Sequence, residues 1–329
     1  MQVTFPKNQI LIGDNLQILP RLRETHAGLI QAIYADPPYG RATGDTPYDD
    51  TLADPDAWVR FLRPRLIMAR DLLSRDGVFM ASIDDSKPHY LRLLLDEVFG
   101  AKNFVNTIIW HYGGLSRHKP YHIRTAHEYV YVYAKELSQI TINPVRVEKY
   151  RYQGMIQTVR QLSRKLGFAF DEGLAALGFY RDPDTGEFFE CYHNRTGSRC
   201  YLTGPLDDVW YIPQINRMAR ERVRGYLGQK PVALIKQLLQ VYGKQTGIVL
   251  DLFAGTGTTG EAVVALNHED GGERAFILIQ SAEACRDPVL IAQGYEKISD
   301  ILVSRMQRLS EKYPQQDKNP LYCIDTFES

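Results

Sequence analysis

The chain has 329 residues, 44% of them hydrophobic and 24% charged, which is typical of one large α/β domain with an insertion, or of two domains. Lysine plus arginine and aspartate plus glutamate both number 39, and this net charge of zero excludes a global field that draws the protein to nucleic acid or to an anionic membrane. No apolar run approaches the roughly 18 residues of a membrane span, and neither a signal peptide nor a disulfide framework is indicated, so we expect a cytoplasmic protein.

The first 134 residues alternate apolar runs of strand length with segments of helix length. Strands are predicted near 10–12, 29–35, 77–83, 104–111 and 128–134. Helices are predicted near 15–23, 56–73 and 87–98. This alternation favours an α/β fold with a parallel or mostly parallel sheet.

The strand predicted over 29–35 ends in the sequence Asp-Pro-Pro-Tyr. Pro37 and Pro38 cannot donate to a sheet ladder, so the strand must stop at Asp36. Two consecutive prolines also leave a stiff corner, which presents Asp36 and Tyr39 at the carboxyl end of a buried strand. Ligands bind at that edge of an open α/β sheet, so this corner is a candidate site.

From about residue 140 the alternation gives way to short aromatic, glycine-rich and arginine-rich segments. They predict an insertion with its own irregular fold, in which only 155–166 has a clear helical pattern. Residues 111–225 contain 17 basic and 12 acidic residues, so the middle third is the basic part of the chain.

Regular alternation returns after the insertion. The predicted elements are a helix at 231–242, a strand at 247–253, a helix from 258, a strand at 275–280 and a final helix around 288–312.

Gly255, Gly257 and Gly260 lie between a predicted strand and helix and match the pattern GxGxxG, which lets backbone N–H groups approach a nucleotide-like ligand. No lysine follows the glycines, so the turn is not a phosphate-binding P-loop. A dinucleotide site fits less well, because no acidic residue closes the following strand. Asp251 would repel a pyrophosphate but suits a ligand that carries an ammonium group.

The two motifs together resemble the amino-directed DNA methyltransferases, which use S-adenosylmethionine to methylate N6 of adenine or N4 of cytosine. The Asp-Pro-Pro-Tyr element (36–39) comes first, the insertion follows, and the Phe-Ala-Gly-Thr-Gly element (253–257) comes last. This order resembles the β group of the family, in which the sheet is circularly permuted. Further stretches that fit are 12–19, 77–85, 96–110, 127–135, 228–239 and 273–280.

The resemblance implies a circularly permuted, Rossmann-like methyltransferase sheet with a target-recognition insertion. Residues 1–139 are expected to form the first part of the catalytic domain, and residues 216–329 the part that binds S-adenosylmethionine. Residues 140–215 are expected to form the target-recognition insertion.

An exocyclic amine on a nucleobase is a poor nucleophile, because its lone pair is delocalised into the ring. The carboxylate of Asp36 and the backbone carbonyl of Pro37 can each accept one N–H and so aim the lone pair at the methyl group, while Pro38 stiffens the corner. The base must first leave the duplex, and Tyr39 is placed to stack on it. Aspartate at the first position is the usual adenine form of the family, so we predict N6-adenine methylation, with N4-cytosine as the alternative.

The resemblance also implies which residues bind the cofactor. Asp251 is expected beside its ammonium group, and the methionine part is expected in the cradle formed by Phe253, Ala254, Gly255, Thr256 and Gly257. Glu283 is the candidate for the ribose hydroxyls and Asp14 for the adenine end. Lys230, at a predicted helix start, is expected to meet the cofactor carboxylate.

Double-stranded DNA is the expected macromolecular partner. Arg117 and Lys119 lie in a basic, glycine-hinged stretch and are predicted to contact phosphates, whereas Arg195 and Arg199 in the insertion are predicted to influence site preference. A homodimer and a cognate restriction endonuclease are the further partners that the resemblance suggests. No membrane partner is expected.

Rival functions explain less of the sequence. An NAD-dependent oxidoreductase leaves the Asp-Pro-Pro-Tyr corner unexplained, and a non-catalytic DNA-binding protein would not need the glycine turn. Cytosine C5 methylation is disfavoured, because it needs a cysteine nucleophile, usually after proline, and none of the four cysteines follows a proline. Cys191, His193 and Cys200 have an unusual spacing for zinc, so no metal is predicted.

Overall fold

The structure of the protein is a computed structural model, which describes residues 8–40, 52–113, 123, 125–148, 157–158, 179–181, 188–194, 197–216, 218–313 and 321–327. The chain divides into two compact units, one made of residues 1–143 and 208–329 and the other of residues 144–207. The predicted insertion boundaries were 140 and 215, and its role in target recognition stays a prediction.

Within the described ranges the strands are β1 (Asn8–Ile12), β2 (Ile30–Ala35), β3 (Leu73–Ile83), β4 (Phe104–His111), β5 (His127–Ala134), β6 (Arg146–Glu148), β7 (Gln157–Thr158), β8 (Phe179–Arg181), β9 (Phe188–Asn194), β10 (Gly197–Pro205), β11 (Val209–Tyr211), β12 (Thr246–Asp251), β13 (Glu273–Gln280) and β14 (Tyr322–Thr326). The α-helices are α1 (Asn15–His26), α2 (Pro55–Leu72), α3 (Pro88–Leu95), α4 (Val232–Tyr242), α5 (Thr258–Asp270), α6 (Pro288–Ala292) and α7 (Ile298–Lys312). Shorter turns are the π-helix Asp96–Gly100 and the 3₁₀ segments Ala101–Asn103 and Leu137–Gln139.

The larger unit contains a nine-stranded sheet in the order β11-β4-β5-β3-β2-β12-β13-β1-β14. Only β5 runs antiparallel to its neighbours among these described strands; the other pairs are parallel. The predicted α/β class and mostly parallel sheet are therefore confirmed. In the smaller unit, β6, β10, β9 and β8 form an antiparallel sheet, and β7 also pairs with β10.

The centre of the large sheet contains a topological switch point. Parallel strands β2 and β12 are neighbours, and the N–H of Leu252 donates to the carbonyl of Tyr34 at 3.1 Å. After β2 the chain continues through α2 to β3 on one side, whereas after β12 it continues through α5 to β13 on the other. The chain thus departs in opposite directions from the two strands and opens a crevice at their carboxyl ends.

An aspartate and a proline begin α2, the helix that follows β2 along the chain. Asp54 caps α2 by accepting from the N–H of Ala57 at 2.7 Å, and Pro55 follows at the first helical position. The fully buried side chain of Trp58 then anchors α2 in the core. The start of α2 is therefore determined locally, and burial holds the helix against the sheet.

Three local predictions are wrong. The final helix predicted around 288–312 is two helices, α6 and α7, because the chain turns at Gly294, whose φ is +87°. Gln157–Thr158, inside the predicted helix 155–166, form strand β7, while the rest of that prediction lies outside the described residues. Strand β12 ends at Asp251, not at 253, because Phe253 belongs to the turn in which its N–H donates to Asp251.

Of the helices that the structure describes, none combines the length and the apolar composition that crossing a bilayer requires.

Candidate active site

An open cleft lies at the carboxyl ends of β2 and β12. Its lining brings together the predicted site residues Asp36, Pro38, Lys230, Asp251, Phe253, Ala254, Gly255, Thr256 and Glu283. The described residues Asp14, Pro37, Tyr39 and Gly257 are outside this lining. The two sequence motifs therefore open into one cavity, although they lie at opposite ends of the chain.

Two side chains that the sequence did not single out hold the Asp-Pro-Pro-Tyr corner. The indole N–H of Trp58 donates to the carbonyl of Pro38 at 2.6 Å. The buried ammonium of Lys87 donates to the carbonyls of Tyr39 and Gly40 at 2.9 and 3.0 Å. Trp58 in α2 and Lys87 at the start of α3 thus fix the backbone that follows Asp36. The one sequence signal near Lys87 is Pro88, a residue typical of the first position of a helix.

Both carboxylate oxygens of Asp36 have partners within the protein. Oδ1 accepts from the Tyr39 hydroxyl at 2.8 Å, and Oδ2 accepts from the Lys230 ammonium at 2.8 Å. Lys230 also lies 3.4 Å from Oε2 of Glu128, which follows the first residue of β5. The sequence analysis predicted that Lys230 contacts the cofactor carboxylate, and it gave no role to Glu128. In the structure the ammonium contacts Asp36, and its contact with the cofactor carboxylate stays a prediction.

Tyr39 is turned into the protein. The residue is 7% exposed, and its hydroxyl lies 2.8 Å from Asp36 and 3.1 Å from Glu128. The Lys230 ammonium lies 5.1 Å from the centroid of its ring. Burial and the neighbouring carboxylates hold the pKa of Tyr39 well above its ordinary value, so the hydroxyl keeps its proton. The ring face is not open in this conformation, and its stacking role stays a prediction.

Asp251, the last residue of β12, is a buried carboxylate in the lining of the cleft. It is 3% exposed and accepts from the backbone N–H of Phe253 at 3.0 Å and from the Thr259 hydroxyl at 2.5 Å. Burial raises its pKa to about 7, with a smaller contribution from the charge of Asp36. A buried carboxylate with few compensating charges is suited to a cationic ligand group.

Two further side chains position the glycine turn, and the sequence carried no signal for either. The side-chain carbonyl of Gln280 accepts from the N–H of Gly255 at 2.7 Å. The buried guanidinium of Arg305 donates to the hydroxyls of Thr256 and Thr258 at 2.7 and 3.1 Å, and it pairs with Glu261 at 2.8 Å. Helix α7 therefore stabilises the glycine turn through the hydrogen bonds of Arg305.

Glu283 and Asp14 occupy different surroundings. Glu283 lines the cleft, and its Oε2 accepts from the Ser281 hydroxyl at 3.3 Å. Asp14 caps α1 through the N–H of Leu16 and pairs with Arg65 at 2.9 Å, with its side chain 49% exposed. Their predicted contacts with the ribose and the adenine end stay predictions.

The predicted DNA-contacting residues lie beyond what the structure describes. Arg117, Lys119 and Arg195 fall outside the described residues, and Arg199 is described only through the backbone pairing of β10. Their roles stay predictions.

Gly257 packs closely against α7, and comparing an alanine substitution here with the same substitution at Gly271 tests the importance of this packing. Its φ is +84°, and an added Cβ would lie 2.5 Å from Cδ1 of Leu302, whereas Gly271 has φ +68° and open space. We expect Gly271→Ala to cost about 1–2 kcal/mol for the left-handed backbone alone, and Gly257→Ala about 1–3 kcal/mol more for overpacking. Urea unfolding measures both, and equal losses would contradict the packing role.

A family model described as DNA methylase matches residues 30–294, which include both motifs and the strands that join them in space. The chain therefore belongs to this DNA methylase family. The predicted family is confirmed.

Three relatives extend this result. The chain is 27% identical to the type III restriction-modification enzyme StyLTI Mod subunit of Salmonella typhimurium, over 93% of this chain and 57% of the relative. It is 29% identical to the EcoPI Mod subunit of Escherichia phage P1, over 98% and 66%. It is 26% identical to the type II methyltransferase M.KpnI of Klebsiella pneumoniae, over 93% and 88%. The chain thus spans less than two thirds of each Mod subunit.

Solved structures agree on the fold. A putative DNA modification methylase from Thermus thermophilus aligns with a TM-score of 0.52 at 16% identity, covering 98% of this chain and all of that one. Another structure of that protein is a complex with S-adenosyl-L-methionine. The cytosine-N4-specific PvuII DNA methyltransferase aligns with a TM-score of 0.50 at 13% identity, covering 91% and 93%. The predicted methyltransferase fold is confirmed.

Proposed function

We propose that this protein transfers a methyl group from S-adenosylmethionine to N6 of adenine in double-stranded DNA, at a specific recognition site. The observation that carries the proposal is the shared cleft, into which Asp36 and the buried carboxylate of Asp251 both open from neighbouring strands. One carboxylate suits an amine to be methylated, and the other suits the ammonium of an amino-acid cofactor.

The donor set of the cleft fits S-adenosylmethionine. Asp251 gains a counter-ion from an ammonium group, and Glu283 offers acceptors to ribose hydroxyls. Helix α5 begins after Gly257 without a side-chain cap, so its first N–H groups suit a carboxylate. When bound, the cofactor supplies an electrophilic methyl group on a sulfonium. The same Asp251 carboxylate would repel the pyrophosphate of NAD.

The protein's own contribution to the reaction is to bind and orient the amine. Asp36 sits on a backbone held by Trp58 and Lys87, so its carboxylate is fixed before the base arrives. Such preorganised acceptors localise the nitrogen lone pair and stabilise the positive charge that develops on nitrogen. Holding the amine in line with the methyl group removes much of the entropic barrier.

The choice of adenine rests on Asp36 at the first position of the tetrad, which is the usual adenine form of the family. Cytosine N4 is the second candidate, because it presents the same kind of amine beside a ring nitrogen. Fold likeness does not discriminate between them, since the cytosine-N4-specific PvuII enzyme shares the fold.

Nuclease digestion and mass spectrometry of treated DNA test the proposal. We expect unmethylated genomic DNA, incubated with protein and S-adenosylmethionine, to contain N6-methyladenine as its new nucleoside. N4-methylcytosine alone would show the right reaction on the other base, and no methylated nucleoside would overturn the function. Calorimetry supplies the control, with binding of S-adenosylmethionine and no binding of NAD as the expected result.

The names of the relatives bear on the partners. StyLTI and EcoPI are Mod subunits of type III restriction-modification enzymes, and M.KpnI is a type II methyltransferase. We propose that a cognate restriction endonuclease is a functional partner of this protein. We also propose that the protein binds its DNA substrate in the cytoplasm. The homodimer stays a prediction.

A further inference from the structure

Two carboxylates converge on one buried ammonium at the edge of the cleft. Nζ of Lys230 lies 2.8 Å from Oδ2 of Asp36 and 3.4 Å from Oε2 of Glu128. The side chains of Lys230, Asp36 and Glu128 are 8%, 19% and 12% exposed. The point occupied by Nζ is therefore shielded from solvent and faced by two acidic groups, one directly after β2 and the other in β5.

An aromatic ring completes the surroundings of this point. The Lys230 ammonium lies 5.1 Å from the centroid of the Tyr39 ring, within the range of a cation–π interaction. The Tyr39 hydroxyl contacts both carboxylates, at 2.8 Å from Asp36 and 3.1 Å from Glu128, and so links them in one network. Two carboxylates and a ring face form a site that is complementary to a positively charged nitrogen.

The reacting nitrogen of the proposed function acquires such a charge. The exocyclic amine of a base is neutral when it binds and becomes cationic as its lone pair forms the N–C bond and the S–C bond breaks, with the electron pair passing to sulfur. A site that binds a cationic nitrogen therefore favours the transition state over the bound neutral amine.

We propose that Glu128 is a second acidic catalytic residue, which together with Asp36 binds the reacting nitrogen at the point that the Lys230 ammonium holds in the free protein. This inference rests on the proposed function. The nitrogen releases one proton to a carboxylate of the pair as methyl transfer completes. Lys230 is a positioning residue, which keeps the two carboxylates together until the base displaces its ammonium.

Glu128 variants separate charge from shape. Glu128→Gln keeps the size and removes the charge, whereas Glu128→Asp keeps the charge and shortens the side chain. We expect single-turnover methyl transfer to fall about 100-fold in Glu128→Gln and less in Glu128→Asp, with the affinities for cofactor and DNA within a few-fold of the parent. Glu136→Gln, which removes another paired carboxylate beyond the same strand, is the control and is expected to retain the parent rate.

Two outcomes would overturn the inference: parent-like turnover in Glu128→Gln, or a larger loss in Glu128→Asp than in Glu128→Gln, as a purely structural role predicts. If the parent protein itself methylates no DNA, the proposed function fails, and this inference fails with it. Parent activity therefore distinguishes the two failures.

A binding measurement, which needs no methyl transfer, tests whether the target base and the Lys230 ammonium compete for the same position. Once product mapping has identified the site, a duplex with 2-aminopurine next to the intact target base reports flipping of that base by fluorescence. Without cofactor, we expect Lys230→Met to give a several-fold larger fluorescence increase than the parent, because the ammonium no longer occupies the corner. Lys236→Met on α4, which breaks the pair with Glu269, is the control. An unchanged or smaller fluorescence increase in Lys230→Met would contradict the proposal that the reacting nitrogen takes the position of the Lys230 ammonium.

Discussion

Asp36→Ala is expected to reduce methyl transfer by about 100- to 10,000-fold, the range found when one electrostatic or proton-accepting group is removed from a preorganised site. The carboxylate is held at the cleft by the corner that Trp58 and Lys87 fix, and Glu128 alone does not supply both of the carboxylates that are proposed to face the reacting nitrogen. Without it, the amine keeps its delocalised lone pair and the charge on nitrogen loses its nearest counter-ion. Single-turnover transfer to unmethylated DNA measures the effect.

Cofactor binding distinguishes a chemical loss from a folding loss. The ammonium of the cofactor is assigned to Asp251 and not to Asp36, so Asp36→Ala should bind S-adenosylmethionine within a few-fold of the parent by calorimetry. Asp56→Ala removes an exposed carboxylate from the first turn of α2 and is the control for charge loss alone. Transfer by Asp36→Ala within a few-fold of the parent would remove Asp36 from the mechanism.

Asp251→Asn is expected to weaken S-adenosylmethionine binding by about 100-fold or more, because an ammonium loses its buried counter-ion. The same change should make the protein more stable at pH 8. The pKa of Asp251 is raised to about 7 in the folded protein, above its ordinary value of 3.8, so the folded state holds a costly buried charge above pH 7. Phe253 donates to Oδ1 and Thr259 to Oδ2, so the asparagine keeps one acceptor and presents its NH2 group at the other position, where the Thr259 hydroxyl can rotate to accept.

The stability difference between Asp251→Asn and the parent is expected to depend on pH. Since the folded pKa is the higher one, the carboxyl stabilises the parent most below pH 4 and loses that contribution as pH rises through 7. The stability advantage of Asp251→Asn should therefore be largest at pH 8 and shrink toward pH 5. Cofactor affinity of the parent should fall as pH drops from 7.5 to 5.5, because binding an ammonium requires the ionised form. Thermal unfolding and calorimetry at these pH values measure both, and a pH-independent affinity would contradict the assignment.

Local sequence was enough where local chemistry determines the structure. Pro37 and Pro38 end β2 whatever surrounds them, and Gly255 and Gly257 take the left-handed backbone that the turn requires, with φ of +53° and +84°. Local reasoning missed β14. Among the described strands this edge strand pairs with β1 alone, and it is largely exposed, so it lacks the apolar pattern of a central strand.

The order of the two motifs along the chain, and the family that this order indicates, were determined by the sequence alone. The tertiary structure decided which side chains meet in the cleft. Lys230 reaches Asp36 across 194 residues of chain, and Tyr39 reaches Glu128 across 89, because strand order in the sheet makes distant segments neighbours. The same reason brings Arg305 beneath the glycine turn. Periodicity and spacing describe a chain only over a few residues, whereas these contacts depend on where whole strands and helices pack.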